Sequence, residues 1–198
     1  MKKIAALVAT LAALLALAGC GEDEPANDDT RTASNGDEFN DADVAFATDM
    51  IQHHAQALSM VDLTLGRPID PEVETLAEDI RAAQAPEIEQ MTDWLTAWDE
   101  PVPATMRDHA NAHGEGDMDM GDMPGMMSAE DMAALEGTPD AEFQERFLQM
   151  MIEHHEGAVE MAKTEQSDGR FGPAIELAEA IESSQTDEIA LMQDLLGS

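Results

Sequence analysis

One eleven-residue stretch occurs twice in this chain, and the repeat constrains the fold more than any other feature. The first copy reads Met-Ile-Gln-His-His-Ala-Gln-Ala-Leu-Ser-Met over residues 50–60, and the second reads Met-Ile-Glu-His-His-Glu-Gly-Ala-Val-Glu-Met over residues 151–161. The same spacing of 101 positions relates residues 76–95 to residues 177–196. A constant offset indicates an internal duplication, in which each unit is a His-His helix followed by a second amphipathic helix.

The composition predicts an all-α fold. Only 4% of the residues are aromatic and none is Tyr, whereas Ala, Leu, Met, Glu and Gln, all good helix formers, are abundant. Caps and apolar periodicity predict long helices from Asp41 to Leu65, Pro71 to Trp98, about 140 to Gln166, and Pro173 to Leu196, with a short helix at 129–135. Pro86 should kink or split the second helix. Short connections within each unit predict two antiparallel hairpins that pack as a four-helix bundle.

The N-terminus has the pattern of a bacterial lipoprotein. Met1-Lys2-Lys3 and the apolar run from Ile4 to Ala18 form a secretory signal that is too short to span a membrane as a helix. The run ends in Leu-Ala-Gly-Cys, which resembles the lipoprotein signal in which the cysteine, here Cys20, becomes the lipidated first residue. We therefore expect an extracytoplasmic protein anchored to the membrane by lipid, at the cell surface or in the periplasm.

The remaining chain divides into a tether and a bundle. Residues 21–38 are acidic and lack apolar periodicity, which predicts a flexible tether. Residues 39–198 form the bundle, with units 39–100 and 138–198 joined by a Met/His-rich linker at 101–137.

The charge excludes one class of partner. Forty-three acidic residues against nine basic ones give a net charge of −34, which argues against nucleic acid and indicates a solvated acidic surface. Cys20 is the only cysteine, so the mature domain has no disulfide and no thiolate ligand. Any soft metal ligand must then be a methionine sulfur.

The repeated motif places histidine and methionine on one helix stripe. At about 100° per residue, Met50, His53, His54 and Ala57 share a face about a third of the circumference wide, and the second copy repeats this geometry. Imidazoles on facing helices of a bundle often hold a metal. Thioethers select Cu(I), and imidazole also suits copper. Which histidine of each pair binds, and whether the methionines are ligands or core filler, stays open.

The linker is a second candidate metal site. Residues 101–127 lack a helical period, and long irregular loops are usually functional or disordered. Met-x-Met and Met-x-x-Met spacing presents several thioethers to one soft ion, although the same methionines could instead pack over the bundle. The candidate residues are His109, His113, Met118, Met120, Met123, Met126 and Met127.

The doubled motif Phe-x-x-x-Met-Ile-x-His-His-x-x-Ala-x-x-Met, with Met-Pro-Gly-Met-Met-Ser before its second copy, resembles the bacterial ferritin-like family known as domain of unknown function 305. The resemblance covers about residues 39–196. It implies a four-helix ferritin-like bundle, often secreted or lipid-anchored, with members linked to periplasmic copper binding and copper tolerance. The metal ligands that it implies are His53, His54, His154, His155, Met50, Met60, Met151 and Met161.

These features predict a non-enzymatic protein that sequesters Cu(I), with Ag(I) as an alternative guest, or transfers it to a delivery protein. One alternative is a redox protein that uses haem or another metal. The sequence argues against a carboxylate-bridged di-iron site, because such a site needs Glu-x-x-His and the positions three residues before the histidines hold Met or Ile. A further alternative is a metal-free surface interaction protein with a buried histidine network. The sequence does not give the oligomeric state.

Overall fold

The computed structural model describes residues 30–105 and 123–197. These residues contain five helices and one short pair of strands. The helices are α1 (Asp41–Asp62), α2 (Pro71–Ala97), α3 (Ala129–Glu136), α4 (Asp140–Asp168) and α5 (Gly172–Gly197), and the strands are β1 (Arg31–Thr32) and β2 (Glu38–Phe39). Within these residues no helix combines the length and the apolar character needed to cross a membrane. The predicted signal segment and Cys20 lie outside the described residues.

The side chain of Asn40 caps the start of α1. The Asn40 side chain accepts hydrogen bonds from the backbone N–H groups of Ala42 and Asp43, and the Asp43 carboxylate accepts one from the N–H of Asn40. Such a capping box is worth about 1 kcal/mol. The helix α1 ends at Asp62, three residues earlier than predicted, because the chain turns there toward Gly66, whose φ is 77°.

Pro86 does not split the second helix, since α2 runs without a break from Pro71 to Ala97. A proline inside a helix costs about 3 kcal/mol. Buried side chains lie on both sides of it on the core-facing stripe, Ile80 before it and Met91 after it. Burial of this stripe offsets the cost and keeps the helix continuous.

Contacts between the helices show antiparallel hairpins. His54 contacts Glu87 and Asp62 contacts Arg81, so the residue number rises along α1 as it falls along α2. The helices α4 and α5 pair in the same way, through His155 with Glu188 and Gln166 with Glu182. The four-helix bundle predicted from the repeat is confirmed.

The helices α1 and α4 join the two hairpins and also run antiparallel. The Asn40 side chain donates to the backbone carbonyl of Asp168 at 2.8 Å, and the Arg67 guanidinium beyond the other end of α1 lies 3.1 Å from Asp140. The two His-His motifs therefore meet near the middle of the paired helices.

Two hydrophobic clusters fill the bundle, and the repeat exchanges them. Met50 and Met91 belong to the first cluster, whereas their counterparts Met151 and Met192 belong to the second. The exchange also runs in reverse, because Ile80 lies in the second cluster and its counterpart Ile181 in the first. Such an exchange requires an approximate two-fold axis that crosses the bundle between the clusters.

The end of the predicted tether differs from expectation. The strands β1 and β2 pair antiparallel, and the ring of Phe39 is buried and stacks on Trp98 at 4.5 Å. Arg31 also forms ion pairs with Asp41 and Glu100. These contacts offset the entropy cost of ordering residues 30–38, which polar composition alone could not reveal.

A buried carboxyl pair lies where α4 turns into α5. The Asp43 carboxylate accepts hydrogen bonds from the N–H groups of Arg170 and Phe171 at 3.0 and 2.9 Å, which ties this turn to the start of α1. Burial, together with the neighbouring Asp43 carboxylate, raises the pKa of Glu165 from 4.5 to about 9. The folded protein therefore keeps Glu165 protonated at neutral pH.

This pKa predicts a pH-dependent stability. The folded state binds the Glu165 proton more tightly than the unfolded state does. The contribution of this proton to the free energy of unfolding is therefore fully present below about pH 4.5, the pKa of an unperturbed Glu, and is lost as the pH rises through about 9. Glu165→Gln, which stays neutral, should flatten this decline in thermal unfolding measured at pH 5, 7 and 9. Glu160→Gln, an exposed position on the same helix, is the control. Parallel pH profiles for the parent and Glu165→Gln would contradict the prediction.

Candidate metal centre

The four histidines of the repeated motif are completely buried, with no exposed surface on His53, His54, His154 or His155. The rings of His53 and His154 lie in contact, with centroids 3.7 Å apart and planes tilted by 37°. These two residues are repeat counterparts, so the approximate two-fold axis passes between their rings.

The histidines form a layer between the two hydrophobic clusters. On α1, Met50 of the first cluster precedes His53 and His54, and Ala57 of the second cluster follows them. On α4 the order is reversed, as the two-fold axis requires.

Two carboxylates that the sequence analysis did not assign to the site orient one ring in each unit. His54 Nε2 lies 2.7 Å from Glu87 Oε2, and His155 Nε2 lies 2.6 Å from Glu188 Oε2. A carboxylate accepts, so each Nε2 carries the hydrogen, and a neutral ring then has its lone pair on Nδ1. Glu87 and Glu188 are themselves repeat counterparts, and this match was the feature of the sequence that could have indicated their role.

Five of the six remaining ring nitrogens lack a partner in the described part of the chain. His53 Nε2 lies 3.1 Å from the backbone carbonyl oxygen of Pro124, which can only accept. Within residues 30–105 and 123–197, the Nδ1 atoms of His53, His54 and His155 and both ring nitrogens of His154 have no hydrogen-bond partner. Each buried polar atom left in this state costs about 1–3 kcal/mol.

Burial keeps the central pair uncharged. Loss of solvent, reinforced by the neighbouring His54, lowers the pKa of His53 to about 3, although the Pro124 carbonyl opposes the shift. Burial and then the adjacent His53 and His155 place the pKa of His154 well below 6.5. Neutral imidazole is the form that binds metals, so these two rings are ready to act as ligands at neutral pH.

The geometry restricts where an ion could lie. Imidazole binds a metal at the ring edge, in the plane of the ring, and a 3.7 Å contact leaves no room for an ion between the faces of His53 and His154. In the described part of the chain, no three His, Cys, Asp or Glu side chains form a preformed metal cluster. An ion at the edge of this stack therefore needs further donors, and thioethers are available.

The four candidate bundle methionines divide into two groups. Met50 belongs to the first cluster and Met161 packs against it, whereas Met60 and Met151 belong to the second cluster. Met50 lies one helical turn before His53, as does Met151 before His154. Met60 follows His53 by seven residues, as Met161 follows His154, which is about 10 Å along the helix axis. Met50 and Met151 are thus the sulfur atoms closest to the layer along the chain.

A segment that we call the strap, residues 123–127, covers the layer on one side. The Gln56 amide forms two hydrogen bonds with the backbone of Met127, at 2.7 and 2.8 Å. Gly157, the repeat counterpart of Gln56, lies so close to Pro124 that an added Cβ would be 2.1 Å from the Pro124 carbonyl oxygen. The repeats thus carry different residues at this position, Gln56 and Gly157, and each of the two helps to hold the same strap.

The linker candidates have different surroundings. Met127 is buried in the second hydrophobic cluster, and Met123 and Met126 are partly buried in the strap. These positions suit methionines that pack over the bundle, the alternative considered for this loop. His109, His113, Met118 and Met120 lie outside the described residues.

The close approach at Gly157 predicts a specific effect of a methyl group. Gly157→Ala should displace the strap, because the new Cβ would overlap the Pro124 carbonyl, and the Gln56 bonds to Met127 should then break. We expect faster hydrogen exchange at the Met127 amide and a loss of roughly 1–3 kcal/mol of stability. Gly172→Ala, where an added Cβ meets open space, is the control. Unchanged exchange at Met127 would contradict the docking described here.

Comparison with known proteins agrees with this architecture. Residues 43–196 match the family model described as domain of unknown function (DUF305). A DUF305 fragment from Deinococcus radiodurans shares 31% identity and a TM-score of 0.67, covering 84% of this chain and 99% of its own. A candidate secreted DUF305 protein from Streptomyces coelicolor shares 36% identity and a TM-score of 0.67, covering 79% and 92%.

A third structural relative has been solved with metals bound. CopM in the Cu(I)-bound form shares 28% identity and a TM-score of 0.61, covering 77% of this chain and 94% of its own. CopM has also been solved in Cu(II)-bound and Ag-bound forms. No curated protein matches the chain. The family model covers most of the sequence and the solved relatives share its bundle, so this chain belongs to the DUF305 family.

Proposed function

We propose that this protein binds copper outside the cytoplasmic membrane and holds it as Cu(I) in the histidine layer of the bundle. The observation that carries the proposal is the set of five ring nitrogens, on four fully buried histidines, that lack partners in the described part of the chain. In the neutral rings, four of these five nitrogens carry a lone pair, and one nitrogen of His154 carries the ring hydrogen. Binding an ion would compensate lone pairs that hydrogen bonding within the described residues does not.

The donor chemistry favours a soft monovalent ion. The layer offers imidazole nitrogen from His53, His54, His154 and His155, and thioether sulfur from Met50 and Met151 one turn away. Thioethers select Cu(I), whereas hard ions take oxygen ligands. Ag(I) is the second guest by the same chemistry. The Cu(I)-, Cu(II)- and Ag-bound forms of CopM support this choice of metals.

Met60 and Met161 have a different place in the proposal. They lie two turns from the histidines, so we propose that they line a path for the ion along the bundle rather than share its first binding position. The linker residues His109, His113, Met118, Met120, Met123 and Met126 would capture the ion before it reaches the layer.

The role that follows is sequestration or transfer, without a chemical reaction. A lipid anchor at Cys20 would hold the bundle at the membrane, where the ion passes to a delivery protein. A metal-free interaction protein is a weaker interpretation, because a buried histidine network should satisfy its ring nitrogens internally.

Replacement of the four histidines by leucine tests the proposal. Leucine fills a similar volume without buried polar atoms, so the bundle should remain helical and the apoprotein should be at least as stable as the parent. Tight Cu(I) binding at the bundle, measured by competition with a chromogenic chelator, should be lost. The matched control replaces Gln149 and Glu160, exposed residues of α4, by leucine and should compete for Cu(I) as the parent does. A four-leucine variant that competes for Cu(I) as well as the parent would refute the proposed site.

A further inference from the structure

Two glutamines share the buried layer with the histidines. Gln84 on α2 and Gln185 on α5 are repeat counterparts, and only 2% and 3% of their surfaces are exposed. In the described part of the chain, both amide atoms of Gln84 and the amide oxygen of Gln185 have no hydrogen-bond partner. Neither residue was a candidate from sequence.

The packing of α2 places Gln84 at the level of the histidines. It lies one turn before Glu87, the carboxylate that contacts His54. On the buried stripe of α2 it is flanked by Ile80 of the second cluster and Met91 of the first. The amide therefore lies between the two hydrophobic clusters, as the imidazoles do.

Gln185 holds the equivalent position on α5. Its stripe neighbours are Ile181 of the first cluster and Met192 of the second, so the flanking order is reversed by the two-fold axis. Glu188, which contacts His155, lies one turn further along. One primary amide thus enters the layer from each hairpin.

The cost of these amides indicates a ligand. A buried amide without a partner costs about 1–3 kcal/mol, whereas methionine or leucine would fill the same volume without that cost. An amide oxygen is a harder donor than a thioether. Cu(II) takes nitrogen and oxygen ligands in tetragonal geometry, and Cu(I) prefers nitrogen and sulfur.

We propose that Gln84 and Gln185 supply amide oxygens to Cu(II), so that one layer accommodates both oxidation states of the ion. The inference rests on the copper-binding function proposed above. Thioethers from Met50 and Met151 then serve Cu(I), while the imidazoles serve both ions. CopM, whose structures include Cu(I)-bound and Cu(II)-bound forms, is a relative in which both ions bind.

The double variant Gln84→Met/Gln185→Met tests this assignment, because methionine keeps the volume and replaces oxygen by sulfur. Competition titrations with Cu(II) and with Cu(I) should show the Cu(II) affinity falling at least about ten-fold while the Cu(I) affinity is retained. A ten-fold fall in the Cu(II) affinity at constant Cu(I) affinity raises the one-electron reduction potential of the bound copper by about 59 mV. Gln149→Met, at an exposed position on α4, should change neither affinity.

A second variant guards against simple misfolding. Gln84→Glu/Gln185→Glu keeps an oxygen donor at both positions and should bind Cu(II) at least as tightly as the parent. Equal losses for both ions in the methionine variant, or no change for either, would overturn the proposal and leave the amides as partners of bound water. If the parent binds Cu(I) but not Cu(II), the glutamine assignment fails alone. If the parent binds neither ion, the copper function fails as well.

Discussion

The burial of four imidazoles between two hydrophobic clusters is the constraint on which the rest of this structure depends. Hydrophobic burial on both sides holds the helices together, and it also separates the layer between them from bulk solvent. The ring nitrogens of His154 have no hydrogen-bond partner in the described part of the chain. A layer of this kind is costly in the apoprotein, and the ion that we propose would offset that cost, because a ligand that binds only the folded state stabilises it.

The duplication explains why the layer lies at the centre. An approximate two-fold axis brings His53 against His154 and exchanges the two clusters, so that polar residues from both units collect where the axis crosses. One departure from this symmetry bears on the site, because the second unit has Gly157 where the first has Gln56. That difference lets a single strap dock, and it leaves His53 with a carbonyl partner that His154 lacks.

The sequence alone predicted the all-α class, the duplicated hairpins and the helix starts at Asp41 and Ala129, because these depend on local periodicity and local hydrogen bonding. It also placed the histidines on the core-facing stripe. It did not predict the contact between His54 and Glu87, since that pairing depends on the register between two helices. The strap and the ordered end of the tether were missed because only tertiary contacts reveal them. Likewise, the raised pKa of Glu165 could not be predicted from the sequence, because it depends on the burial of that side chain in the folded protein.

The most direct test of the central claim is nitrogen NMR of the histidine side chains during titration with Ag(I), a diamagnetic substitute for Cu(I). The structure predicts that Nδ1 resonances of the buried histidines shift on binding, while Nε2 of His54 and His155 stays protonated against its glutamate. Tight binding of Ag(I) with the resonances of all four buried rings unchanged would contradict the account, because the ion would then lie outside the histidine layer.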